Sequence, residues 1–149
     1  MTILRALMLG LAAPVALASP TFAMAQDQEV VVRAEAARAE IERILNADNV
    51  DTARLSPRGV ADAIAAIERG RAPADFWNAY RLHVQAWAEL ADAVDNARPG
   101  QGESAFPADQ ERIDRAQAAI ESSFAAVQRI ARQYGARLPT PPGDTRKIT

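Results

Sequence analysis

Residues 76–90 read FWNAYRLHVQAWAEL. This stretch holds both tryptophans, Trp77 and Trp87, one of the two tyrosines, Tyr80, and the only histidine, His83. At about 100° per residue, Phe76, Tyr80, His83, Trp87, Leu90 and Val94 fall within an arc of about 80°. Asn78, Arg81, Gln85, Glu89, Asp92 and Asn96 lie on the opposite side. The period is helical, and such a helix must bury its apolar stripe against other elements. His83 sits at the centre of that stripe.

A buried imidazole needs a hydrogen-bond partner, because an unpaired buried polar group costs about 1–3 kcal/mol. If the next helix returns antiparallel about a loop centred near Gly102, His83 lies level with about residue 121. Ser123 is the expected partner, with Gln117 or the Tyr80 hydroxyl as second choices. Three roles then compete for His83: a polar pin of the core, a pH-responsive group, or part of a ligand pocket. Burial should lower its pKa, so its contribution to stability should fall as pH drops below about 6.5.

The same period continues along the chain, with no convincing alternating strand. In DQEVVVRAEAARAEIERILN, Val30, Ala34, Ala37, Ile41 and Ile44 form a stripe, and Asp27 is the expected N-cap. In LSPRGVADAIAAIERG, Ser56 is the expected N-cap, Pro57 fits the first helical position, and Gly70 is the expected terminator. The third and fourth helices are expected to open on the two PAD triplets, Pro73–Asp75 and Pro107–Asp109. Proline costs no helix hydrogen bond at a first position, and an acid two residues later suits the helix dipole. The third helix should stop near Ala97, before RPGQGES. The fourth carries Ile113, Ile120, Phe124, Val127, Ala131 and Tyr134 and should end at Gly135. The expected fold is all-α: an antiparallel up-down four-helix bundle with two shorter N-terminal helices and a long C-terminal hairpin.

The ends read differently. MTILRALMLGLAAPVALASPTFAMAQD has one cation, Arg5, an apolar run from Ala6 to Ala18, and Ala23-Met24-Ala25. That order is a secretory signal peptide, with cleavage expected after Ala25. Residues 26–135 should form one domain, and 136–149 an extended Pro-rich tail. The chain has 17 basic and 19 acidic residues, and Arg5 is the only ionisable side chain of the leader. The mature balance, sixteen bases against nineteen acids, gives a net charge of −3 and no basic face for nucleic acid. Sixteen of the seventeen bases are Arg, which with abundant Ala suggests a GC-rich genome and hence a bacterial periplasm.

Composition excludes much chemistry. There is no cysteine, hence no thiolate nucleophile, disulfide or covalent haem. Met1, Met8 and Met24 all lie in the leader, so axial haem ligation would rest on His83 alone. One histidine cannot supply the paired Glu-x-x-His motifs of di-iron bundles. Asp48, Asn49 and Asp51 read as a capping turn and lack the glycine and distal glutamate of a calcium loop. Glu89, Asp92 and Asp95 read as a solvated row offset by Arg81 and Arg98. Ser122 and Ser123, in mid-helix, lack an oxyanion hole.

The expected protein is therefore non-enzymatic, without cofactor or metal: an exported module for a protein partner in the cell envelope. Trp77 and the tail are its expected contact surface. The alternative is a carrier of an apolar small molecule, with a pocket at Tyr80, His83, Trp87 and Phe124. Ala116, Ala119 and Ala126 could leave the space for one.

Overall fold

The computed structural model describes the backbone of residues 20–97 and 102–140, with side chains for 28–97 and 107–140. The described residues are all helical, with four helices and no strand. They are α1 (Pro20–Asp48), α2 (Pro57–Ala65), α3 (Ala74–Asn96) and α4 (Gly102–Gln133). Among them, no helix is long and apolar enough to cross a membrane. Residues 1–19, most of the expected leader, lie outside the described part, as do 98–101 and the last nine residues of the expected tail.

The α3–α4 hairpin is antiparallel. Near one end the Tyr134 hydroxyl donates to Asp75 (2.9 Å to Oδ1), and at mid-length His83 meets Ser123. Asp75 also accepts from the Phe76 amide in the first turn of α3, so the acid of the first PAD triplet ties the start of α3 to the end of α4. Helix α2 lies along α3 in the opposite sense. Arg58 near its start reaches Asp92 and Asp95, while the Ile64 carbonyl near its end accepts from the Tyr80 hydroxyl at 3.3 Å. The carboxylate row on α3 is thus offset by Arg58 of α2, where Arg81 and Arg98 were expected.

The core gathers Ile41, Ile44 and Leu45 from α1, Phe76, Ala79 and Tyr80 from α3, and Val127 and Ala131 from α4. Tyr80 and Phe76 are its largest fully buried side chains. Each such side chain contributes roughly 1.5–3 kcal/mol through its removal from water. Only the last two turns of α1 enter this core. Val30, Val31 and Val32 are exposed, and so is Ala34.

Several boundaries differ from expectation. Helix α1 passes through Asp27, which is therefore not an N-cap, and at 29 residues it is longer than α3 at 23. The first of the two N-terminal helices is thus not short. Ser56 caps α2 as expected, accepting from the Gly59 amide at 3.1 Å. That helix ends at Ala65, five residues before Gly70, which adopts φ +54° in the turn that follows. The turn is tied back to α1 by Arg43, which donates to the Glu68 carbonyl at 2.7 Å. Pro73 is the cap of α3 and not its first residue. Pro107 lies inside α4, more than a turn past Gly102, and lacks the N–H that would reach the Glu103 carbonyl. Val94, expected on the buried stripe, is exposed, because α1 stops beside His83 and no longer covers that end of α3.

The chain after α4 does not leave the core at residue 136. Gly135 adopts φ +69°, and the Ala136 amide closes back onto the Ala131 carbonyl at 3.0 Å. Ala136 is buried, and Leu138 packs on the core. The Arg137 amide donates to Glu42, and Asn49 donates to the Thr140 carbonyl at 2.8 Å. Residues 136–140 are therefore docked onto α1.

Candidate functional site

His83 is buried, at 4 % exposure, and three side chains surround its ring nitrogens. Nδ1 lies 3.1 Å from the Ser123 Oγ, which in turn donates to the Ile120 carbonyl at 3.0 Å. Trp87, one turn on along α3, donates its indole N–H to Nε2 at 3.3 Å. A nitrogen that accepts carries no proton, so the network assigns the ring proton to Nδ1, which donates to Ser123. The rings of Tyr80 and Phe124 flank the imidazole, with centroids 6.5 and 5.1 Å away.

The third side chain at the ring nitrogens is Asp48, the last residue of α1. Its side chain is 8 % exposed. Oδ1 accepts from the Tyr80 hydroxyl at 3.1 Å, and Oδ2 lies 3.9 Å from His83 Nε2. That last distance is too long for a hydrogen bond. Burial pushes the Asp48 carboxyl up from 3.8 to about 6, with the Tyr80 hydrogen bond opposing. Burial pulls His83 down from 6.5 to about 4, with the Ile120 carbonyl opposing. Tyr80 is raised above its usual value by burial and by the neighbouring Asp48. Between pH 6 and 4 the first proton therefore goes to Asp48. The His83 lone pair is already engaged by Trp87.

Above this cluster opens a cleft of about 380 Å³. Its walls are mostly apolar: Leu45 of α1, Val60 and Ile64 of α2, Trp87 of α3, and Ile120 and Phe124 of α4. Asp48 and His83 also line it, and Leu138 and Pro139 close one side. Glu121 and Gln128 supply polar groups from α4.

Of the residues expected at this site, His83, Trp87 and Phe124 meet in the cleft, and Ser123 is bonded to His83 behind it. Tyr80 is fully buried beneath, with its hydroxyl on Asp48 and Ile64 and not on His83. Gln117 is exposed and takes no part. It follows the buried Ala116 by one residue, which turns it about 100° away from the core. Trp77 is half-buried against the core, its ring 5.5 Å from that of Tyr80.

Asp48 is the residue that sequence reasoning missed at this site. A signal was present: Ile41, Ile44, Leu45 and Asp48 share one face at helical spacing, so Asp48 extends the buried stripe of α1. Its neighbours do behave as a turn. Asp51 accepts from the Ala53 amide and pairs with Arg54. Among the described residues, no three potential metal ligands come together.

Ser123, His83 and Asp48 superficially suggest a nucleophile, base and acid. The hydrogen bonds run the wrong way for that chemistry. A general base must accept the serine proton, whereas Nδ1 donates to Ser123 and Ser123 donates to Ile120. Backbone amides in the middle of α4 are used within the helix, so nothing there binds an oxyanion. Ser123 and His83 are therefore not arranged as a nucleophile and its general base.

No protein-family model matches the chain, and neither a curated protein nor a solved structure matches it.

Proposed function

We propose that this protein is an exported, non-enzymatic up-down helical bundle that binds an apolar small molecule in the cleft above Asp48 and His83. One observation carries the reading: a largely apolar cleft of about 380 Å³ opens on two buried titratable groups. Ligand sites are of this size and character, with hydrophobic walls and a few convergent polar groups of shifted pKa. The opposed directions of α2, α3 and α4 support the bundle description. Export rests on the leader. Cleavage after Ala25 falls within α1, and the core residues Ile41, Ile44 and Leu45 all lie beyond it.

A neutral apolar fluorophore, N-phenyl-1-naphthylamine, tests the binding. One saturable site per chain is expected, lost in Ile120→Trp, which fills the cleft from α4. Absence of saturable binding, or binding unchanged in Ile120→Trp, refutes the reading. The mass of the chain recovered from a periplasm tests export, with residues 26–149 expected.

The second reading is an interaction module for a protein in the cell envelope. Val30, Val31 and Val32, between 56 % and 65 % exposed on α1, favour it. Trp77, once the expected contact, is better accounted for as a core-boundary residue.

A further inference from the structure

The cleft has a polarity that points to a ligand class. Asp48 presents two oxygens, and only Oδ1 has a donor among the described residues. Oδ2 has His83 Nε2 nearest, at 3.9 Å, and that nitrogen is an acceptor in this network. Among the described residues, no sealed side-chain oxygen is left without a partner, so Oδ2 is not sealed, and the opening that Asp48 lines is this cleft. An acceptor on a side chain more than nine-tenths buried, without a donor, is costly unless something supplies one. The charge around it has one sign. Asp48 and Glu121 line the cleft, and among the described residues no Arg or Lys does. Trp87 and Phe124 add aromatic faces, which attract cations and repel anions.

We infer that the cleft takes an organic cation: a protonated primary amine on a hydrocarbon body, with its ammonium N–H on Asp48 Oδ2. The hydrocarbon lies between Trp87, Phe124 and the aliphatic side chains of α1 and α2. The His83 lone pair is held by Trp87, so of the two buried groups only Asp48 offers the ammonium an acceptor, and Ser123 keeps the imidazole in that tautomer. The inference rests on the cleft being a ligand site and adds the chemical class.

Isothermal titration with three ligands of one chain length separates the two ideas. Octylammonium, octanol and octanoate, each below its micelle concentration, share a hydrocarbon and differ only in charge. On the wild-type protein at pH 7.5, octylammonium should bind about tenfold or more tightly than octanol, and octanoate should bind more weakly than either. In Asp48→Asn, octylammonium should fall to the level of octanol while octanol is unchanged. Glu121→Gln, at the exposed rim, should retain the preference. Equal binding of all three ligands, or a preference that survives Asp48→Asn, overturns the cation and leaves the cleft a ligand site. No binding of any of them overturns both. The order on the wild type stands as a test without any variant.

Discussion

Asp48→Asn and His83→Gln should tilt the pH dependence of stability in opposite directions. Asp48 goes from 3.8 to about 6 on folding, so between those values the native state holds a proton that the unfolded chain has lost. Its linkage therefore adds stability as pH falls through 6, and that gain is lost as pH rises again. His83 goes from 6.5 to about 4, so the unfolded chain takes the proton first. Its linkage removes stability as pH falls below 6.5. From pH 7 to 5, Asp48 adds about 1 kcal/mol and His83 removes about 2 kcal/mol. The two contributions oppose each other and partly cancel in the wild type. His83→Gln leaves the Asp48 gain alone and should become more stable relative to wild type by about 2 kcal/mol over that interval. Asp48→Asn leaves the His83 loss alone and should become less stable relative to wild type by about 1 kcal/mol. Urea unfolding followed by far-ultraviolet circular dichroism at pH 7, 6 and 5 reads these differences. The other carboxylates are common to all the proteins and cancel in the comparison. Variants that both track the wild type within about 0.5 kcal/mol, or that shift with the signs exchanged, would refute the assigned proton positions.

Other outcomes follow from single contacts. Tyr80→Phe removes the donor to Asp48 Oδ1 and should cost about 1–3 kcal/mol in urea unfolding at pH 7, less at pH 5, where Asp48 is protonated. Ile44→Ala empties a fully buried site and should cost about 2–5 kcal/mol, a value the exposed Val31→Ala should not approach. Gly70→Ala forces a side chain into a left-handed backbone and against the Glu40 carboxylate, and should lower the melting temperature more than Gly59→Ala. Leu138→Ala should lower stability and raise the accessibility of Trp87 to acrylamide, because Leu138 closes one side of the cleft.

The helices and the depth of His83 were legible in the sequence because both follow from local periodicity. The Ser123 partner was legible too, since an antiparallel hairpin sets its own register. Gln117 failed as a candidate because it is one residue off the Ala116–Ile120–Val127 stripe. One residue is a rotation of about 100°, enough to turn a side chain into solvent.

Sequence alone determined an all-helical, cysteine-free chain with one buried histidine on its most aromatic helix. Hydrophobic period, capping residues and composition act within a few residues and need no knowledge of the rest of the chain. Tertiary structure decided the character of the site. It brought Asp48 from the end of α1 against Tyr80 and His83, 32 and 35 positions away, and docked Leu138 at the rim. It also turned the Trp87 N–H onto the imidazole, which selects the tautomer. These are approaches between distant segments, set by how whole helix faces pack. A carboxylate with the spacing of a core residue acquires its raised pKa only once that packing has removed it from water.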